Sequence, residues 1–392
     1  MDEEKAKPDT LFPILAGQRL TALGRAAADA EQIDVGHDVR FRALESRSIL
    51  NKSVSKRLHW MAWSINPYRG CEFGCRYCYA RYTHEFLESA PGDDQAVKPG
   101  LRAPEAFERE IFVKQNAAWL LEQDLRRLAR QNRLHEEIAL GTATDPWQPI
   151  ERRTGVTRSL LEVMARRDGL RLGIVTKSTL IERDIDLLQE IDRRSTLVVH
   201  ITITTPDAEL ARKLEPRAPR PDLRLRTVQR LREAGIRTGI LNSPLLPGIT
   251  DGPTEIDRMA QLAKEVDASF FAAMPLFLKS CSRPTYFQFV RDHFPHLQAE
   301  YLQRFRNMDF ADRPYRERLN ALVQASCRRY GLHERLTDAL LTRDAGDPKS
   351  SAPQSFAAQP RGLSVQGRTA GLKKPSASDQ VCMQANLFES SR

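Results

Sequence analysis

The sequence predicts an α/β fold with a parallel sheet. Three observations support this: six β-like runs alternate with amphipathic helical stretches, the chain is 392 residues long, and its composition is 41% apolar and 28% charged. Such a length suits one large α/β domain with appendages. Regular alternation implies parallel strands joined by right-handed crossovers.

Residues 1–55 are polar and read as an N-terminal extension, with one helix predicted over Leu20–Ala28 and a basic stretch from Arg40 to Lys56. Residues 56–275 carry the alternation. Strands are predicted at His59–Ile65, Glu137–Gly141, Leu170–Thr176, Leu197–Ile203, Ile236–Leu241 and Ser269–Met274. Helices are predicted at Phe107–Ala129, Thr157–Arg167, Ile181–Ile191, Leu223–Ala234 and Thr254–Glu265. Trp119, Leu120, Leu121, Leu125 and Leu128 recur at helical spacing, and Gly235 stands where a helix C-cap is expected. Residues 276–343 read as a helical, aromatic-rich extension. From 344 to 392 the chain is rich in Ser, Ala, Gly, Pro and Lys and reads as disordered.

The composition narrows the function classes. No stretch approaches the roughly eighteen apolar residues of a membrane span, and Met1-Asp2-Glu3-Glu4-Lys5 does not begin a signal peptide. The expectation is a cytoplasmic enzyme or nucleic-acid protein, with no membrane partner. A net charge of +9 suits polyanion binding without requiring it. Six cysteines are too few for a disulfide framework, but Cys71, Cys75 and Cys78 lie within eight residues.

Those three form Cys-x3-Cys-x2-Cys in the loop after the first strand, where α/β folds gather their chemistry. Three thiolates on a tight loop suit a [4Fe–4S] cube with one iron left open. Gly70 and Gly74 permit the bends, and Arg69, Arg76 and Arg81 offset thiolate charge. The competing reading is a zinc site completed by His84. Other polar residues sit at strand ends: Thr142 to Asp145, Lys177, Thr202 and Thr204, and Asn242 to Gly248. Asp145-Pro146 reads as a turn and His200 as a core-packing residue.

The cysteine spacing and the aromatic Tyr77 before the third cysteine resemble the radical S-adenosylmethionine (SAM) superfamily. Asn66-Pro-Tyr-Arg-Gly-Cys71, Gly141-Thr-Ala-Thr-Asp-Pro-Trp-Gln-Pro-Ile-Glu151, Thr176-Lys177-Ser178 and Leu214-Glu-Pro-Arg-Ala-Pro219 look like its spore-photoproduct-lyase-related, DNA-repair branch. The resemblance covers residues 45–330. It implies a partial (β/α)6 TIM-like barrel with the helical extension and disordered tail appended. It also implies a [4Fe–4S] cluster on Cys71, Cys75 and Cys78, with SAM on the open iron. SAM would be cleaved to a 5′-deoxyadenosyl radical by an electron from a donor such as flavodoxin or ferredoxin. Tyr77 is expected near the adenine, and Thr144, Lys177 and Thr202 at the methionine moiety.

One departure concerns the substrate. The lyases carry a hydrogen-donating cysteine where this chain has Thr142, whose O–H bond is too strong for that task; Cys281 is a possible substitute. Gln384-Ala-Asn-Leu387-Phe388 resembles the peptide by which bacterial replication and repair proteins bind the sliding clamp. With the basic segments Arg212–Arg226 and Arg313–Arg318, it directs the substrate expectation toward nucleic acid, with damaged DNA first. The alternatives are radical SAM modification of protein or RNA, and a noncatalytic zinc-stabilised DNA-binding protein.

Overall fold

The computed structural model describes residues 22–332 apart from 37, 53–61, 86, 88–100, 102 and 104. The tail with Gln384, Leu387 and Phe388, the end of the basic stretch and the start of the first predicted strand lie outside the described residues.

In chain order the strands are β1 (Gln32–Gly36), β2 (Val39–Ala43), β3 (Leu50–Lys52), β4 (Trp63–Ile65), β5 (Tyr68–Arg69) and β6 (Glu110–Val113). They continue with β7 (Glu137–Leu140), β8 (Arg171–Thr176), β9 (Thr196–Thr202), β10 (Thr238–Leu245) and β11 (Phe271–Pro275). Strands β4, β7, β8, β9, β10 and β11 pair in that order, all parallel. They are the six strands expected, and they form a partial barrel with β3 added antiparallel beside β4. The β-branched run of β9 is buried almost throughout, as parallel strands covered on both faces require.

Helices Ala117–Arg130, Val156–Ala165, Ile185–Arg194, Pro221–Glu233 and Pro253–Glu265 accompany these strands. The helix Pro221–Glu233 begins with Pro at its first turn, where a missing N–H costs nothing. Helix Ala117–Arg130 buries Leu120, Leu121, Leu125 and Leu128 but leaves Trp119 62% exposed, so the tryptophan is not part of the core stripe.

Two regions differ from the expectation. The single helix predicted over Phe107–Ala129 is a short helix, Ala106–Arg109, then β6, then the helix from Ala117. The β-branched and aromatic Ile111-Phe112-Val113 run pairs with β2 and β5, and this tertiary pairing overrides the helical pattern. In addition, residues 32–52 are woven into the domain. Strands β1 and β2 complete a four-stranded sheet with β6 and β5. Buried Asp124 accepts hydrogen bonds from the Ser48 hydroxyl at 2.8 Å and the Ile49 and Leu50 amides at 3.1 Å, fastening β3 to the barrel.

The C-terminal extension is helical as expected, with helices Arg283–His293, Gln298–Arg304 and Arg313–Tyr330. Tyr301 donates its hydroxyl to the Pro247 carbonyl at 2.7 Å, bracing the loop after β10. Among the described residues no helix is long and apolar enough to cross a membrane.

Candidate active site

The cysteine loop follows β5, and hydrogen bonds from four other segments hold it. The Cys71 amide donates to the Phe107 carbonyl and the Arg76 amide to the Leu214 carbonyl, each at 2.9 Å. Gly70 takes φ +86°, and a side chain there would meet the carbonyls of Phe107 and Glu110 at 2.8 Å, so only glycine lets these backbones approach so closely. The Gln148 side chain accepts from the Glu72 amide at 2.8 Å while the Glu72 carboxylate accepts from the Ile150 amide at 2.7 Å. Arg81 donates to the Cys75 carbonyl at 3.1 Å and pairs with buried Glu108. From the C-terminal extension, the Ser282 hydroxyl donates to the Cys78 carbonyl at 2.7 Å.

These bonds tie down the amides of Cys71, Glu72 and Arg76 and the carbonyls of Cys75 and Cys78, and none of them uses a cysteine sulfur. Cys71 and Cys75 are buried and Cys78 half-buried. Burial pushes the Cys71 thiol well up, reinforced by Asp145 and by the other two cysteines. The Cys75 thiol is pushed up to about 12 by burial, against the pull of Lys177. Burial also raises Cys78, against Arg81 and the Ala80 N–H. The Asp145 N–H, unlike its carboxylate, lowers the Cys71 thiol. Backbone donors and nearby positive charge favour the thiolate form that metal ligands need, and a cationic metal centre supplies the remainder.

Among the described residues no three His, Cys, Asp or Glu side chains already stand at coordinating geometry. The donor set nonetheless fits an iron–sulfur cluster: three soft ligands on one braced loop. His84 does not join them. Its Nε2 lies 3.0 Å from the Glu110 carbonyl, and its ring packs edge-on against Phe107 and Phe112. Burial holds its pKa down to about 3.

Several of the polar residues singled out at strand ends, Thr144, Lys177 and Thr204, touch the loop. The Thr144 hydroxyl donates to the Gly70 carbonyl at 2.6 Å. Asp145 does more than open a turn: it accepts from the Thr176 hydroxyl and the Lys177 amide, both at 2.7 Å, linking the loops after β7 and β8. The half-buried Lys177 ammonium lies 5.7 Å from the centre of the Tyr77 ring. Burial disfavours that ammonium, but Cys75 and Glu215 outweigh it and its pKa is raised. Buried Tyr77 bonds through its hydroxyl to Thr204 at 2.9 Å and to Glu215. Thr202 is buried at the end of β9, its carbonyl accepting from Arg224 at 3.1 Å. His200 is a core residue as expected, with Nδ1 2.9 Å from the Ile174 carbonyl and its ring on Phe270.

Cys281 lies in the turn Ser280–Ser282, its sulfur 4.0 Å from the Tyr79 carbonyl. The Tyr79 hydroxyl in turn donates to the carbonyl of Thr142. The C-terminal extension thus brings Cys281 against the cysteine loop, a proximity that sequence separation conceals. Glu215 and Arg224 were also missed. Glu215 lies in the Leu214–Pro219 motif and Arg224 in the basic segment Arg212–Arg226, but nothing in either showed that both side chains are buried.

A family model for the Radical SAM superfamily matches residues 65–261. An uncharacterised protein of Mycobacterium tuberculosis is 30% identical over 320 residues, covering 82% of this chain and 86% of its own length. One from Methanocaldococcus jannaschii is 27% identical over 187 residues, 48% of this chain and 61% of its own. The solved structure of spore photoproduct lyase complexed with dinucleoside spore photoproduct has a similar fold, with a TM-score of 0.53 at 15% identity over 74% of this chain and 79% of that one. The chain belongs to the radical SAM superfamily. Membership implies SAM and an iron–sulfur cluster as cofactors.

Proposed function

We propose that this protein is a radical SAM enzyme that holds a [4Fe–4S] cluster on Cys71, Cys75 and Cys78 and acts on nucleic acid, with damaged DNA the first candidate. The observation that carries the cofactor reading is the cysteine loop: three thiols on a backbone pinned through its amides and the Cys75 and Cys78 carbonyls to neighbouring segments. When bound, the cluster supplies the electron that cleaves SAM to methionine and the hydrogen-abstracting 5′-deoxyadenosyl radical. The chain's own residues bind and orient. Tyr77 offers its ring to the adenine, and Lys177 neutralises the ligand carboxylate. Thr202 closes the methionine end. Thr144 keeps Gly70, and with it Cys71, in register.

Three features support nucleic acid: the +9 net charge, the fold shared with a lyase complexed with a dinucleoside, and the tail motif. Through Gln384, Leu387 and Phe388 the tail is read as a ligand of a bacterial sliding clamp. A tail peptide without clamp affinity ends that part of the reading. The electron donor is read as a flavodoxin or ferredoxin. His84 is engaged at Glu110, which weighs against the zinc-stabilised DNA-binding alternative.

The test is anaerobic reconstitution followed by incubation with SAM and a strong reductant. Iron, sulfide and 5′-deoxyadenosine are expected from the wild type and none of the 5′-deoxyadenosine from Cys75→Ala. Bound zinc without iron would refute the enzymatic reading. For the substrate, deuterium from labelled photodamaged DNA should appear in 5′-deoxyadenosine; its appearance only from a labelled protein or RNA would redirect the assignment.

A further inference from the structure

The segment Leu214–Pro219 has no task in the reading above, yet it grips the cysteine loop directly. The Leu214 carbonyl accepts from the Arg76 amide at 2.9 Å, and the Arg217 amide donates to the Phe73 carbonyl at 3.4 Å. Between these contacts, buried Glu215 accepts the hydroxyls of Tyr77 and, at 2.8 Å, Thr204. Its second carboxylate oxygen lies 2.5 Å from Arg224 Nη2, with each side chain only 1% exposed. Arg224 also donates to the carbonyls of Thr202 at 3.1 Å and Pro219 at 2.7 Å.

Two positions that the resemblance assigns to SAM, Tyr77 and Thr202, therefore meet at one ion pair by hydrogen bonds, and the third, Lys177, lies over the Tyr77 ring. An ion pair this deeply buried contributes little net stability, because desolvation offsets the attraction. Orientation is what it supplies. Tyr77 stands between Cys75 and Cys78, so holding its hydroxyl fixes the ring relative to the loop. Arg224 in turn ties Glu215 to the Thr202 carbonyl at the end of β9.

We propose that Glu215 and Arg224 are the positioning pair of the SAM site: Glu215 holds the Tyr77 ring as a wall for the adenine, and Arg224 anchors Glu215 to the Thr202 end of β9. This rests on the reading of Tyr77, Lys177 and Thr202 as SAM contacts. Neither member of the pair touches the ligand; both act through others.

The experiment uses the full chain, reconstituted anaerobically, as wild type, Glu215→Gln, Tyr77→Phe, their combination, and the charge-neutral double variant Glu215→Gln/Arg224→Met. SAM affinity is read from the SAM-induced change in the electron paramagnetic resonance spectrum of the reduced cluster, beside iron content and thermal unfolding. Glu215→Gln and Tyr77→Phe should each weaken SAM binding roughly ten- to a hundredfold, the effect of losing one charge-assisted hydrogen bond. Combining them should add little, since they break the same contact. Iron content should match the wild type in Tyr77→Phe.

Multiplying effects, or unchanged affinity in both single variants, would overturn the inference. If Glu215→Gln fails to fold or to hold iron, Tyr77→Phe and the charge-neutral variant decide, and wild-type affinity in both overturns it. A wild type that carries the cluster without responding to SAM overturns the underlying reading as well. A responsive wild type with unaffected variants overturns only the positioning pair.

Discussion

The hydroxyl of Thr144 donates to the carbonyl of Gly70 at 2.6 Å, one residue ahead of Cys71. Its single hydrogen is thus committed to the cysteine loop, while its oxygen accepts from the Gln148 amide at 3.2 Å. Thr144→Val keeps the shape and removes both bonds, leaving the buried Gly70 carbonyl with only the longer Gln148 contact at 3.4 Å. We expect a loss of about 1–3 kcal/mol in chemical denaturation, with faster loss of iron from the reconstituted protein. Unchanged iron retention would show that this bond does not hold the loop.

Gly141 ends β7 at φ +92°, and a side chain there would lie 2.4 Å from the Val175 carbonyl and 2.8 Å from the Pro146 ring. Both neighbours are held in place, the first by the sheet and the second by its own ring. Gly141→Ala should therefore cost about 3 kcal/mol or more, combining backbone strain with overpacking. The denaturant midpoint measures this, and a shift equivalent to less than ~1 kcal/mol would contradict the close approach.

His84 links stability to pH. Its folded pKa of about 3 lies below the ordinary value of 6.5, because burial penalises the imidazolium. The neutral ring therefore contributes stability that is fully present above the unfolded pKa and is lost as the pH falls through the window toward the folded one. Between pH 7 and pH 4 the loss should be on the order of 3 kcal/mol, seen as a falling denaturant midpoint. In His84→Gln this contribution should vanish, so an identical acid limb in that variant would exclude His84 as its source.

Cys281 should be a slow nucleophile despite its half-buried position. Burial pushes its thiol up to about 11, opposed by the Ser282 hydroxyl. At pH 8 its thiolate population is then about two orders of magnitude below that of an ordinary cysteine. Iodoacetamide labelling followed by peptide mass spectrometry should be slow at pH 8 and accelerate up to about pH 11. Rapid labelling at pH 8 would contradict the burial. Cys281→Ala should keep its iron, since this thiol lies outside the ligand set.

The parallel series was legible because each strand carries its own signal. Leu197-Val-Val-His-Ile-Thr-Ile203 is apolar and β-branched enough to be read in isolation, and it is β9 with a shift of one residue at each end. Strand β6 was not legible, since Glu110–Val113 continues a helical spacing and becomes a strand only through pairing with β2 and β5. The three cysteines could be read because ligand spacing is local. Cys281 could be nominated but not located: nothing in a chain separation of about two hundred residues predicts its contact with Tyr79.

By itself the sequence determined the order of the six parallel strands, the sulfur triad and the superfamily, because periodicity, turn residues and short motifs are properties of neighbouring positions. Only the tertiary structure decided which side chains share a dielectric environment. It brought Glu215 and Arg224 together out of water, turned His84 onto Glu110 and set Thr144 against Gly70. Burial, charge pairing and donor geometry depend on distances through space, and packing alone sets those distances.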